Sequence, residues 1–288
     1  MTQTREGSEE WDMVIQPTYG WFDLKLRDVW RYRDLLMILV YRDFVAQYKQ
    51  TILGPLWFFI QPIITSFTFL IIFGKIAKIE TGETIPQPLF YLSGVILWGY
   101  FSECLIKTST VFRGYSSVFG KVYFPRLIVP LSIVVSNLIR FGIQILLFLA
   151  VYLFYVFAMD YRPQLSYHLL LLPVMILLMA ILGLSLGMII SAMTTKYRDL
   201  SFLVAFGVQL FMYATPIIYP LSTLSDKARG ILQWNPMATV VEGMRKGLFN
   251  EGLFSWGYLA YAFGLSLLLL FVGIVIFNRV EKSFVDTV

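Results

Sequence analysis

Two residue types that build many enzyme sites are almost missing from this 288-residue chain, which has one histidine, His168, and one cysteine, Cys104. A lone histidine excludes a His-ligated metal centre and a Ser-His-Asp triad. A lone cysteine excludes an intrachain disulfide and leaves the redox compartment open. His168, at the edge of an apolar run, reads as an interfacial or core residue, and Cys104, inside another run, as a buried structural thiol. Charge is scarce too, at 14% of residues. Acidic pairs such as Glu9 and Glu10 fall in loops or tails and read as solvated. No phosphate-binding loop exists: around Gly114–Val122 the glycine spacing is wrong, and Val122 stands where Ser or Thr should follow the lysine. The chain does not bind ATP by that route.

What the sequence has in abundance is apolar surface. Hydrophobic residues make up 58% and the mean hydropathy is +0.70, values outside the range of soluble domains. The length accommodates about six spans of roughly 20 residues with short connections, and no separate catalytic domain. The fold class expected is an all-α polytopic membrane protein. Met1–Gln16 is polar and acidic with no apolar core, so it does not read as a signal peptide.

The chain is organised around Trp30–Pro62, where a charged helix runs into a hydrophobic span. At about 100° per residue, Arg27, Arg31, Asp34, Arg42 and Lys49 gather on one flank. Leu26, Trp30, Leu36, Met37, Val40, Phe44 and Tyr48 gather on the other. Such a helix lies in a membrane interface with its basic residues toward anionic headgroups. Leu35, Ile38 and Val45 interrupt the polar flank, so some of that flank should also touch protein. The chain then turns into the bilayer near Gly54-Pro55. Spans are expected over about 52–73, 89–111, 127–158, 168–193, 201–219 and 256–277. Gly183 and Gly187 in the fourth have the spacing that lets helices approach closely, read as ordinary packing. Pro216 and Pro220 end the fifth. After it, Thr223–Trp234 and Met237–Asn250 are too short to span and are expected to dip part-way in, where irregular backbone survives only inside protein or beside water.

Lys and Arg counts place both termini in the cytoplasm. Inner segments carry Arg5, Lys25, Arg27, Arg31, Arg33, Arg42, Lys49, Arg113, Lys121, Arg126, Lys196, Arg198, Arg279 and Lys282. Outer ones carry Lys75, Lys78, Arg162, Lys227, Arg229, Arg245 and Lys246, and the cluster before the last span runs against the rule. Two charges fall inside spans, Glu103 and Arg140, each costly against lipid. Either they pair with one another, or Arg140 faces a polar conduit and meets an anionic substrate.

The segments WRYRDLL, RDFVAQYKQTILGPLWFFIQP, FGKIAKI, GVILWGYFSE, KVYFPRLIVPLS, TTKYRDL, ATPIIYP and QWNPMATVVEGMRKGLF, in that order from Trp21 onward, resemble the membrane subunit of bacterial ABC-type polysaccharide exporters. That family moves lipid-linked O-antigens, capsular polysaccharides and teichoic acids. The resemblance implies a homodimer of six-span subunits in the bacterial inner membrane, bound to two copies of a separate ATPase that holds ATP and Mg. It implies no nucleic-acid partner and no catalytic residue or metal in this chain. By position, residues 1–23 form a polar tail, 24–50 the amphipathic interface helix, 51–278 the transmembrane domain and 279–288 a cytoplasmic tail.

Within that domain, residues 114–124 resemble the coupling helix seated on the ATPase, with Arg113, Tyr115, Lys121, Tyr123, Phe124 and Arg126 the contact residues. A basic headgroup anchor is the competing reading of this stretch. Residues 221–252 resemble re-entrant helices guarding the outer mouth, through Trp234, Asn235, Pro236, Glu242 and Arg245. Sugars present flat C–H faces, so aromatic rings could wall a conduit, with Trp57, Phe58, Tyr91, Trp98, Tyr100, Phe101, Tyr213 and Tyr219 as candidates beside Arg140. Alternatives are an ABC exporter of a drug or lipid, a membrane-embedded enzyme on lipid-linked sugars, and a secondary transporter.

Overall fold

A computed structural model describes residues 26–49, 51–82, 85–115, 124–162, 164–197 and 199–285. They form α1 (Leu26–Arg31), α2 (Arg33–Tyr48), α3 (Trp57–Phe69), α4 (Gln87–Thr108), α5 (Val111–Gly114), α6 (Ile128–Ala158), α7 (Leu172–Lys196), α8 (Leu200–Tyr213), α9 (Asp226–Leu232), α10 (Pro236–Phe249) and α11 (Trp256–Val285). No strand occurs among the described residues. Among the described residues, five helical stretches are long and apolar enough to cross a membrane: Gly54–Ile76, Gln87–Thr108, Ile128–Ala158, Tyr167–Lys196 and Trp256–Val280. The expected fifth span, about 201–219, is shorter in the structure. Its helix α8 has 14 residues and gives way to turns before Pro216, so it is an apolar helix too short to count with those five.

The turn into the first span follows from glycine. Gly54 has φ +50, a left-handed conformation that a side chain would strain. It opens a 3₁₀ turn, Gly54–Leu56, that leads directly into α3. Below α3 the helix widens into a π-helical stretch, Leu70–Ile76.

The core is built around α4, which is buried along most of its length at Leu89, Phe90, Tyr91, Leu97, Phe101 and Cys104. It packs against α3, α6 and α7, and α7 packs in turn against α11. The Gly183 and Gly187 spacing serves this packing within the chain. A Cβ at Gly187 would lie 2.5 Å from Thr108 Cβ and 3.0 Å from the Leu105 carbonyl, and one at Gly183 would lie 2.8 Å from Cys104 Cβ. Replacing Gly187 with alanine therefore forces α7 away from α4. A loss of about 1–3 kcal/mol is expected, read as an earlier thermal unfolding midpoint of the detergent-solubilised protein.

The helix ahead of the first span is two pieces broken at Tyr32 rather than one helix from Trp30 to Tyr48. It carries two apolar faces. Leu39 and Val40 are buried as α2 packs against α6, and the Ser136 hydroxyl donates to the Val40 carbonyl at 3.3 Å. Trp30, Met37, Ile38 and Tyr41 lie exposed. Val40, expected on the lipid-facing flank, thus packs on protein; of the apolar residues that interrupt the polar flank, Leu35 packs against protein while Ile38 lies exposed. A second buried cluster joins Leu39 to Phe112, Phe124, Ile128, Met188 and Phe277, tying α2, α5, α6, α7 and α11 together at one end of the bundle.

Candidate functional site: a polar cavity inside the bundle

Polar side chains placed in otherwise apolar helices must find partners or water. Here α3 contributes Gln61 and Thr65, α4 contributes Trp98, Tyr100, Ser102 and Glu103, α6 contributes Asn137, Arg140 and Gln144, and α8 contributes Gln209. Together they line a cavity of about 280 Å³. Glu103 is its electrostatic centre. The carboxylate pairs with Arg140 at 3.4 Å and with Lys107 at 3.0 Å. The Arg140 guanidinium donates to Gln61 Oε1 at 2.6 Å and lies 5.6 Å from the centre of the Phe58 ring. Lys107 donates to Asn137 Oδ1 at 3.2 Å. Arg140 therefore pairs with Glu103, as the first reading has it, and it also lines a polar cavity.

The Tyr100 hydroxyl and the Asn137 amide nitrogen are closed off from the cavity: both atoms are buried and lie beside the Cys104 thiol. With the Arg140 charge answered by Glu103, the cavity offers carboxamides and aromatic faces rather than a free cation.

Of the nine residues proposed for a conduit, Trp98, Tyr100 and Arg140 line this cavity, and Phe58 is buried against Arg140. Tyr91 and Phe101 do not reach it; both are wholly enclosed in the core. Trp57 and Tyr213 are exposed on the outside of the bundle, and the Tyr219 hydroxyl donates to the Tyr213 carbonyl at 2.8 Å. Gln61, Asn137 and Gln209 were not singled out from sequence. Their signal was polarity inside a charge-free run, the same signal that marks Arg140.

At the opposite end of α4, α10 is held by two polar clamps. Asn235 caps it, accepting from the Met237 backbone N–H at 2.9 Å and donating to the Ala214 carbonyl and the Thr215 hydroxyl, both at 3.0 Å. Pro236 fills the first helical position, where no N–H is needed. Arg245, 1% exposed, donates to the Pro216 carbonyl at 2.6 Å and the Ile217 carbonyl at 3.0 Å. It also pairs with Glu242 at 3.2 Å and lies 3.6 Å from the Phe90 ring centre. Glu242 in turn accepts from the Leu253 backbone N–H at 2.9 Å. Arg245 and Glu242 are thus enclosed between segments, and of the five residues assigned to an outer mouth only Trp234 is exposed, edge-on to Tyr261 at 4.9 Å.

Near α5 the six residues proposed for an ATPase contact separate. Arg113 is exposed and Tyr115 half-buried. Phe124 and Arg126 are buried in the chain's own second cluster or beside it, so they do not share an exposed face with Arg113. Lys121 and Tyr123 lie outside the described residues. Of the basic residues assigned to headgroups, Arg31 and Lys49 are exposed; the Arg27 side chain lies outside what is described. Arg42 is exposed as well, but it is also tied to protein. It pairs with Asp43 at 2.7 Å and lies over the Tyr115 ring at 4.9 Å.

Apolar helices long enough to cross a membrane thus surround an ion-paired polar cavity. The chain belongs to the ABC-2 type transporter family, which it matches over residues 34–249. It is similar to an O-antigen export system permease protein RfbA of Myxococcus xanthus, 29% identical over 266 residues, covering 91% of this chain and 98% of that protein. An RfbA of Klebsiella pneumoniae is 27% identical over 254 residues, covering 88% and 94%. The polysialic acid transport protein KpsM of Escherichia coli is 25% identical over 254 residues, covering 85% and 93%.

Proposed function

We propose that this chain is the membrane subunit of an ATP-driven exporter that moves a lipid-linked polysaccharide, of O-antigen type, across the bacterial inner membrane. The observation that carries this reading is near full-length similarity to O-antigen permeases in a chain whose interior holds a carboxamide-rich cavity. Sugar hydroxyls pair well with carboxamides, and the Trp98 face suits a sugar ring. A polymer many units long cannot be enclosed and released in one rocking motion, so repeated strokes along a continuous conduit fit the substrate. In this reading two copies build the conduit and α8 completes a six-helix set. Both termini face the cytoplasm, and two ATPase subunits hold ATP and Mg and dock near Arg113, Lys121 and Tyr123. The α9 and α10 segments then close the outer side, with Trp234 at the rim.

Co-purification of the tagged chain with the product of an adjacent ATPase gene tests this, with ATP hydrolysis read alongside. A stable complex with two copies of each is expected, weakened by Lys121→Ala and Tyr123→Ala. A chain that purifies alone and transports without an ATPase overturns it.

A further inference from the structure

The cavity lies within the apolar helices, whereas any ATPase must act from a membrane surface, so a stroke needs a mechanical route between them. Among the described residues one continuous line of side-chain contacts runs from α5 to the cavity. It begins at Tyr115, which directly follows α5. The Tyr115 hydroxyl donates to Asp43 Oδ2 at 2.9 Å, while Asp43 Oδ1 accepts from both Arg42 Nε at 3.0 Å and Arg42 Nη2 at 2.7 Å. The next residue, Phe44, packs its ring 5.7 Å from that of Phe58. Phe58 lies under the Arg140 guanidinium, and its carbonyl accepts from Gln144 Nε2 at 3.4 Å. Arg140 and Gln144 line the cavity.

Asp43 is the hinge pin of this line because it ties α2 to Tyr115 by a charge-assisted hydrogen bond and holds Arg42 over the same ring. Its neighbours hold the proton where the contact needs it. Burial, then the Asp43 carboxylate, raises the Tyr115 hydroxyl above its ordinary pKa, so it stays a donor. Burial works against the Arg42 charge, but Asp43 and then Tyr115 outweigh it and raise the guanidinium above its ordinary value. Elsewhere α5 is fixed. Phe112 stacks on Phe277 at 4.5 Å, and the Ser109 carbonyl accepts from the Thr194 hydroxyl at 2.6 Å. A push arriving at Tyr115 therefore finds α5 held by α7 and α11 and is passed to α2.

The geometry points to Asp43 as a positioning residue that couples the α5 end of the bundle to the Arg140 wall of the cavity. This rests on the exporter reading above. Asp43 touches neither substrate nor nucleotide; it acts through Tyr115 on one side and, by way of its neighbour Phe44, through Phe58 on the other.

The test uses the full transporter, this chain with its ATPase, and reads exported polysaccharide per ATP hydrolysed at equal membrane abundance. Asp43→Ala and Tyr115→Phe each remove the contact, the second by deleting one oxygen atom and leaving the ring under Arg42. Each is expected to lower the export-to-hydrolysis ratio about tenfold, the factor carried by one hydrogen bond to a charged group. The double variant is expected to be no worse than either single, because both cut the same link. If Asp43→Ala lowers abundance, Tyr115→Phe still decides. A ratio unchanged from wild type, or singles whose effects multiply in the double, overturns the coupling role while wild-type export stays ATP-dependent. Wild-type export that proceeds without ATP hydrolysis overturns the exporter reading and the inference with it.

Discussion

Replacing Arg245 with alanine is expected to remove about 3–5 kcal/mol of stability, enough to deplete the protein from the membrane. The reason lies in what Arg245 serves. Pro216 interrupts the chain after α8, and the carbonyls of Pro216 and Ile217 are left without helical donors; Arg245 supplies both. The same guanidinium neutralises Glu242, whose side chain is 1% exposed. Alanine would therefore leave two orphaned carbonyls and an unpaired buried carboxylate, and a lost contact with Phe90. Arg245→Lys should rescue little, because a single ammonium cannot present the guanidinium's fork to two carbonyls and a carboxylate. Glu242→Gln should be milder, about 1–3 kcal/mol. It leaves the buried Arg245 cation without its counter-charge, and the amide offers one acceptor oxygen where the carboxylate offered two, but the Pro216 and Ile217 carbonyls and the Phe90 face still hold the guanidinium. Membrane abundance and thermal unfolding in detergent read all three. An Arg245→Ala protein as abundant and as stable as wild type would refute the clamp.

Around the cavity, the expected result is an asymmetry between partners. Glu103→Ala leaves Arg140 and Lys107 as two cations with only Gln61 and Asn137 as acceptors. Arg140→Ala leaves Glu103 still paired with Lys107. The glutamate change should cost about 2–3 kcal/mol and the arginine change about 1 kcal/mol. Both lie below the cost of breaking a fully buried pair, because the Glu103 side chain is 32% exposed to the cavity. In the double variant the lone cation Lys107 remains, so its loss should fall short of the sum of the singles. Export should order the other way. Arg140→Ala opens the cavity wall and frees Gln61, and is expected to reduce exported polymer more than its small stability cost explains. If the singles simply add, the pairing carries no energy. If export tracks abundance in every variant, the cavity is not on the route.

Much of this arrangement is written in local chemistry. Gly54-Pro55 marks the entry to the first span, Asn235-Pro236 marks the start of α10, and Pro216 marks the break after α8, because each places a residue with a specific backbone demand at the point of change. Glu103 and Arg140 announce themselves by their cost in lipid, and their partnership follows from that cost. The rest depends on contacts between distant segments. Arg245 is visible in sequence as a charge on the wrong side of the membrane, yet its carbonyl partners lie nearly thirty residues earlier. Asp43 looks like one more charge on a polar flank; only the fold brings Tyr115 to it. Tyr91 shares its direction around α4 with Trp98 and differs by lying two turns along the helix, and a helix apolar on every side carries no periodicity that reveals which of its rings reach the cavity. Phe124 and Arg126 follow the same logic, drawn inward by a cluster assembled from five helices.

The brevity of α8 bears on the membrane itself. At 1.5 Å per residue its 14 residues rise about 21 Å, some way short of a hydrocarbon layer of roughly 30 Å. The shortfall lies at the α10 end, where turns and short helices replace lipid-crossing backbone and Asn235 and Arg245 meet the exposed carbonyls. Backbone of that kind can persist only where water or protein reaches it. Here protein reaches it: Asn235 and Arg245 stand where water would otherwise have to, so α8 can stop short of a full crossing without stranding a bare carbonyl.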